Sequence, residues 1–283
     1  MARPNAEAIE AWNTVLFDKF VHYRDVLVTN LGIHGVRGIA RLAPVPGDRI
    51  VDLGCGFGDT TVDLAGRVGP TGRVRGVDAA PRFIAVARAE AGAVPNVAFD
   101  VADVQEGVPG GPYDLAFSRM GMMFFASPVM ALRNVRAALV PGGRLCMVVW
   151  RSKAANEGLA IPEEAVRALL GDHEDGDQVT CGPGPFSMAS ADVVSDQLTA
   201  AGYRDVTFER SDADLRFGDS LDAAVELALT IGPAGERVRL AGNRAIARHD
   251  ELRAAVGAAL TPFARPSGVY AASSTWLVTA IAP

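Results

Sequence analysis

Up to position 43, apolar side chains at Ile9, Trp12, Leu16, Phe20, Tyr23, Val26 and Leu27 recur about every 3.6 residues, which predicts helix over 5–43. Pro44-Val45-Pro46-Gly47-Asp48 ends it in a turn, since two prolines and a glycine cannot continue a helix. Beyond that turn, short apolar runs alternate with helical periodicity in the way that specifies a parallel sheet. Runs at 49–53, 74–77, 97–101, 113–118 and 144–150 predict strands, and 59–68, 81–92 and 128–139 predict helices among them. After Trp150 the alternation falters. Residues 151–186 combine a short helix around 163–170 with an acidic, glycine-containing loop and Gly182-Pro183-Gly184-Pro185-Phe186. A helix at 191–201, a strand at 205–210, helices at 221–231 and 236–260 and a last strand at 274–281 complete the pattern.

Composition narrows the reading. The 283 residues are 49% hydrophobic and 21% charged, enough apolar material for a sizeable core and inconsistent with wholesale disorder. With no internal repeat and no low-complexity linker, one enlarged α/β domain fits better than two independent ones. A net charge of −6 gives no global basic field, so nucleic acid is not an expected partner. Cys55, Cys146 and Cys181 lie far apart without a C-x-x-C, which suggests neither a disulfide framework nor a zinc site. MARPNAEAIEAW lacks an apolar leader segment and no later run reaches the length of a membrane span, so the expectation is a reduced, cytoplasmic chain without a membrane partner.

The segment richest in chemistry is Val51-Asp52-Leu53-Gly54-Cys55-Gly56-Phe57-Gly58-Asp59-Thr60. A strand here enters a glycine turn and then a helix, so a ligand can lie against bare backbone at a helix N-terminus. A dinucleotide fingerprint G-x-G-x-x-G would need a third glycine at 59 or 61, where Asp59 and Thr61 stand. A phosphate-binding loop would need Gly-Lys-Ser/Thr, which is missing. Asp59 at the helix start would also repel a pyrophosphate. The ligand expected at that point is uncharged or cationic.

The D-x-G-x-G-x-G pattern of 52–58 resembles the first motif of the class I S-adenosylmethionine-dependent methyltransferases. Val77-Asp78, Ala102-Asp103-Val104, Tyr113-Asp114-Leu115-Ala116-Phe117-Ser118 and Leu139-Val140-Pro141-Gly142-Gly143-Arg144-Leu145 continue the resemblance in the family's order. The match is strong over about 45–150 and loose beyond it. Ser118-Arg119-Met120-Gly121-Met122-Met123-Phe124-Phe125 and Gly184-Pro185-Phe186 resemble a bacterial branch related to the ubiquinone/menaquinone-biosynthesis methyltransferases.

The resemblance implies a doubly wound, Rossmann-like α/β fold with a seven-stranded, mostly parallel sheet and an antiparallel last strand. An N-terminal helical lid over 1–45 would precede a methyltransferase domain over 46–283, with cap insertions at about 151–186 and 219–268. The implied cofactor is S-adenosyl-L-methionine. Asp52 would orient its methionyl amino group, directly or through water, and Gly54, Cys55 and Gly56 would face it as backbone. Asp78, with Ala79, would hold the ribose. Ala102, Asp103 and Val104 would meet the adenine, through the Asp103 carboxylate at N6 and the Val104 N–H at N1. Ser118 would contact the methionyl part, or else serve as an ordinary strand-end turn.

Candidates for the acceptor side come from position in the fold. Met120, Met123 and Phe124 follow the fourth strand, near the crevice that open α/β sheets offer beyond their strand ends. They could line the transfer site and adapt to an apolar or aromatic small molecule, or pack a helix against the sheet. Arg119 could pair with an acidic substrate group or form a structural salt bridge. His22 and Tyr23 could reach the cleft if the N-terminal helices cover it, although an exposed or capping histidine fits His22 as well. His173 lies in the acidic loop and is expected to be solvated. No histidine or cysteine spacing suggests a metal. The 221–231 helix is too apolar for full solvation and could line a substrate cavity or a homodimer interface. Three activities compete on these residues: methyl transfer to a small-molecule acceptor, binding of the same cofactor for non-methylating chemistry or scaffolding, and nicotinamide-dependent oxidoreduction. The failed third glycine counts against the last.

Overall fold

A computed structural model describes residues 5–171 and 183–283. His173, Cys181 and most of the acidic loop lie outside the described residues. The five apolar runs form β1 (Arg49–Leu53), β2 (Arg73–Asp78), β3 (Val97–Val101), β4 (Tyr113–Arg119) and β5 (Leu139–Trp150). These pair in parallel in the order β3-β2-β1-β4-β5. Two long strands follow, β6 (Arg204–Gly218) and β8 (Gly268–Ile281), with the two-residue β7 (Ala264–Arg265) at the edge of β8. β8 inserts between β5 and β6, antiparallel to both. The sheet therefore matches the expected one, seven strands along its main path with the last antiparallel, plus the short β7.

Alternation along the strands sends side chains to two faces. Ile50, Leu115, Phe117, Cys146 and Val148 meet Ile39 and Leu42 of α3 (Arg24–Leu42) and Leu64 and Val68 of α4 (Asp59–Val68) on one face. On the other, Val51, Ala116, Leu145 and Met147 join α6 (Pro128–Ala138), α7 (Glu157–Leu170) and α8 (Ala191–Ala200). α5 (Pro81–Ala91) supports β2 and β3 through Ile84, Ala87 and Phe99.

The 5–43 helical stretch is not one rod, nor is all of it a lid. α1 (Ala6–Ala11), a π-helical turn over Trp12–Leu16 and α2 (Phe17–His22) precede a break at Tyr23. The C-terminal half of α3 belongs to the sheet's covering layer. Between β6 and β8, helices α9 (Leu221–Thr230), α10 (Gly232–Ala241), α11 (Asn243–Ala247) and α12 (His249–Leu260) replace the expected pair. Gly242, at φ +52, interrupts the stretch that periodicity alone reads as continuous over 236–260.

Candidate functional site

At the C-terminal edge of β1 the chain turns through Gly54, whose φ of +67 strains any residue with a Cβ. Its N–H, and that of Cys55, donate to the Val77 carbonyl at 2.8 and 3.1 Å. Asp78, ending β2, accepts from the Gly56 N–H at 3.0 Å and from the Ala80 N–H at 2.9 Å. Burial pushes its pKa up, while those two N–H bonds and one from Ala79 oppose the rise. Gly121, beyond β4, closes on the same turn: a Cβ there would sit 2.9 Å from the Leu53 carbonyl and 3.3 Å from Gly54 Cα. Two glycines thus let two backbones touch.

Residues that end β3 form a second polar group. Asp103 is buried, and accepts from the Gln105 N–H at 2.9 Å and from Asn5 Nδ2 at 3.4 Å. Asn5 Oδ1 is buried without a partner among the described residues. No carbonyl of the described residues accepts from the Val104 N–H. An unsatisfied acceptor and a neighbouring unsatisfied donor are costly in a protein interior and mark a place prepared for a polar ligand edge.

These groups line a cavity of about 190 Å³. Its floor is Gly54, Cys55, Gly56, Asp78, Ala79, Ala102 and Val104, and its roof comes from Asn5, Ile9, Trp12, Leu27 and Leu31. A larger chamber of about 680 Å³ adjoins it, walled by Trp150, Leu159, Phe186, Phe217, Leu227 and Leu240. Trp12, Phe20, Leu27, Leu31, Met120 and Phe124 line both, so the boundary that the two share is apolar. The chamber's charged groups are largely paired: Glu163 takes Lys153 and Arg237, and Glu236 takes Arg239 at 2.8 Å. Lys19 donates to the Thr230 carbonyl at 3.0 Å, and burial lowers its pKa.

Several expected residues stand elsewhere. Asp52 is 1% exposed, accepts the Thr61 hydroxyl at 2.7 Å, and does not line the cavity; burial pushes its pKa up to about 6. Asp103 sits behind Asn5 rather than in the wall. The Ser118 hydroxyl donates to the Leu53 carbonyl at 2.8 Å, tying β4 to β1, and Ser118 lines neither cavity. Met123 is fully buried core, whereas Met120 and Phe124 face both cavities. His22 is exposed and lines neither cavity. Tyr23 also lines neither; its hydroxyl reaches Thr230 Oγ1 of α9 at 3.4 Å. Arg119 lines the smaller cavity alone. Sequence reasoning missed Asn5, Lys19 and Gly121. Asn5 carries no motif, and Lys19 stood out only as one of two lysines among 27 basic residues. Among the described residues no cluster of His, Cys, Asp or Glu could hold a metal ion.

Comparisons with known proteins agree with this geometry. Residues 50–143 match the family model described as a methyltransferase domain. The nocamycin O-methyltransferase of Saccharothrix syringae is 29% identical over 232 residues, covering 71% of this chain and 76% of that protein. The aklanonic acid methyltransferase of Streptomyces sp. (strain C5) is 36% identical over 105 residues, 36% of this chain and 48% of its own. Of several other curated relatives the chain spans 38% to 58% of the length. The crystal structure of the YcgJ protein from Bacillus subtilis superposes with a TM-score of 0.55 at 18% identity, covering 88% of this chain and 97% of that one, which is a likeness of fold.

Proposed function

The chain carries a class I S-adenosylmethionine-dependent methyltransferase domain, and from that premise we propose that it methylates a small, largely apolar or aromatic acceptor held in the larger chamber. The observation that carries this reading is the apolar boundary shared by the two cavities, which we take as the passage between them. One side presents glycine backbone and a strand-end carboxylate; the other is an apolar chamber within the usual size range of small-molecule sites, roughly 300–1,000 Å³. The names of the relatives, among them aklanonic acid, nocamycin and trans-aconitate methyltransferases, point to small acceptors too.

The residues of the smaller cavity fit the cofactor. An adenine edge offers an amino donor beside a ring-nitrogen acceptor. Asn5 Oδ1 and the Val104 N–H, both unclaimed among the described residues, are the complementary pair. Asp103 then acts through Asn5, by holding its amide, and Asp78 has lone pairs beyond its two N–H bonds to accept from ribose hydroxyls. S-adenosylmethionine, when bound, supplies a methyl group on a positively charged sulfur that needs no further activation to leave. What remains for the protein is alignment and exclusion of water. Trp12, Phe20, Met120 and Phe124 do both at the passage, where none of the lining residues can act as a base. For a proton that leaves the acceptor toward the chamber, Lys19 is the titratable lining group without an ion pair among the described residues. Leu227 and Ala228 of α9, with Ile231 just beyond its end, face this chamber, so we assign that helix to the acceptor wall rather than to an interface between copies.

Calorimetric titration with S-adenosylmethionine, S-adenosylhomocysteine and NADH tests the reading. Binding of the first two without NADH is expected. Asp78→Ala should weaken it by about 10- to 150-fold, the equivalent of about 1.5–3 kcal/mol for hydrogen bonds to a charged group. Unchanged affinity in the folded variant, or binding of NADH alone, would overturn the assignment.

A further inference from the structure

A buried guanidinium ordinarily carries a carboxylate partner, because an isolated charge in a protein interior is expensive. Arg119 is an exception. It ends β4 half-buried in the wall of the smaller cavity, and its guanidinium makes neither a hydrogen bond nor an ion pair with any described residue. Its nearest acids are already engaged: Asp52 by the Thr61 hydroxyl, Asp59 by Arg24 at 2.9 Å. Both act on Arg119 through space and favour its charged form, while burial opposes it.

The surroundings are shaped for this side chain. Gly35 of α3 lies over the arm, and a Cβ there would stand 2.8 Å from Arg119 Cδ. The next residue, Met120, sits at φ +58, a left-handed conformation that costs a residue with a Cβ roughly 1–2 kcal/mol. Strain of that kind persists where the surrounding structure enforces it, and it gathers at ligand sites. Here it turns the chain sharply after Arg119 so that Met120 can face the passage. Arg119 lines only the smaller cavity, so the anion it awaits belongs to what binds there and not to the acceptor.

Building on the cofactor reading above, we propose that Arg119 binds the carboxylate of the cofactor's methionyl arm and thereby fixes the end of the arm farthest from the adenine. The molecule that reading places in the cavity has one anionic group, and among the described residues Arg119 is the cation lining it. A planar guanidinium meets a carboxylate with two parallel N–H bonds, which orients as well as attracts. Arg119 is a cofactor-positioning residue in this scheme. It supplies no proton and touches no reacting atom.

The test separates the arm from the nucleoside. S-adenosylhomocysteine carries the carboxylate; 5′-methylthioadenosine keeps adenosine and sulfur and lacks the amino-acid end. Calorimetry on the full chain should show Arg119→Met weakening S-adenosylhomocysteine by about 10- to 150-fold while 5′-methylthioadenosine binds as to wild type. Arg119→Lys should recover part of the loss. Gly35→Ala, which leaves every charge in place but crowds the arm, should lose S-adenosylhomocysteine selectively as well. Equal loss of both ligands in Arg119→Met and Gly35→Ala would mean a structural role and overturn the proposal, as would unchanged S-adenosylhomocysteine affinity. If wild type binds neither ligand, the cofactor reading falls and this inference with it.

Discussion

His34 shows at the level of one residue how α3 is locked to the sheet. It is fully buried, with Nδ1 at 3.1 Å from Ser211 Oγ of β6 and 3.2 Å from Thr275 Oγ1 of β8, and Nε2 at 2.9 Å from Ser273 Oγ. Burial first, then the nearby Arg37 guanidinium, lower its pKa from 6.5 to about 4, against a weaker pull from Asp212. Between those values the unfolded chain binds the proton and the folded one does not, so this contribution to stability is present above about pH 6.5 and is lost as the pH falls toward 4. The whole effect is at most about 3 kcal/mol. Asp52 works in the opposite sense. Its carboxyl is pushed up to about 6, so the folded state holds that proton first and gains from acidification between about 6 and 4. The two partly cancel in the wild-type profile, and a single stability curve would hide both. Comparison with His34→Gln isolates the first: the wild type's advantage in urea denaturation should shrink steadily from pH 6.5 to 4. A gap independent of pH would show that His34 titrates normally.

Helix α3 argues at the next scale that glycines of one element have opposite energetic signs. Gly38 lies against the sheet, where a Cβ would meet Val148 Cγ2 at 2.6 Å and Phe117 Cε2 at 3.2 Å; Gly32, two turns earlier, has nothing within 4 Å. Gly38→Ala should therefore destabilise by about 1–3 kcal/mol through overpacking, whereas Gly32→Ala should stabilise by up to about 1 kcal/mol through helix propensity. Denaturant midpoints of the two variants decide it, and a shared sign would refute the packing described for α3. Elements of this kind also mark how far sequence could be read. Strand β1 coincides with the apolar run at 49–53, because a buried parallel strand is apolar on both faces, and β3 coincides with the run at 97–101 although it is the sheet's edge and buries only Phe99. The runs at 205–210 and 274–281 cover only part of β6 and β8. Beyond the run at 205–210, Ser211, Asp212 and Ala213 of β6 face Thr275, Ser274 and Ser273 of β8, small or polar residues with no apolar alternation, and their pairing is set by the neighbouring strand. The glycine turn was legible because its positive φ angles are local, and Asp78 was legible as the end of a strand, although the Gly56 N–H that it accepts lies far from it in sequence. Asp103 and Ser118 were legible only as positions: what their side chains meet, Asn5 and the Leu53 carbonyl, is distant in sequence.

For the molecule as a whole, the question is how a ligand enters a cavity whose roof is the chain's own N-terminal segment. Residues 5–22 contribute Asn5, Ile9, Trp12 and Phe20 to that roof. α1 buries no residue, and the π-helical turn that follows it is a rarely populated geometry, often found at functional sites. The segment is held by side-chain contacts, among them Arg82 N–H to Asn13 Oδ1 at 3.0 Å and Trp12 against Phe83 and Phe124, rather than by strand pairing. Arg82 of α5 reaches Asp18 at 2.7 Å and stacks over Phe17, and Phe17 packs on Phe83 with ring centroids 4.9 Å apart. On the opposite side Lys19 and Tyr23 reach Thr230 of α9. A cover held by a few aromatic and exposed ionic contacts opens at far lower cost than the sheet beneath it. We therefore propose that residues 5–22 admit the cofactor by opening and are held shut by it, with the adenine edge against Asn5 as the latch. Amide hydrogen exchange followed by mass spectrometry is the check. Saturating S-adenosylhomocysteine should slow exchange across 5–22 severalfold, and leave α12, which lines neither cavity, unaffected. Asn5→Ala should abolish much of the slowing near residues 5–11 while 5′-methylthioadenosine and S-adenosylhomocysteine lose affinity together, because both carry the adenine. A segment whose exchange is indifferent to bound ligand would be a fixed wall, and entry would then have to run through the larger chamber and the apolar passage.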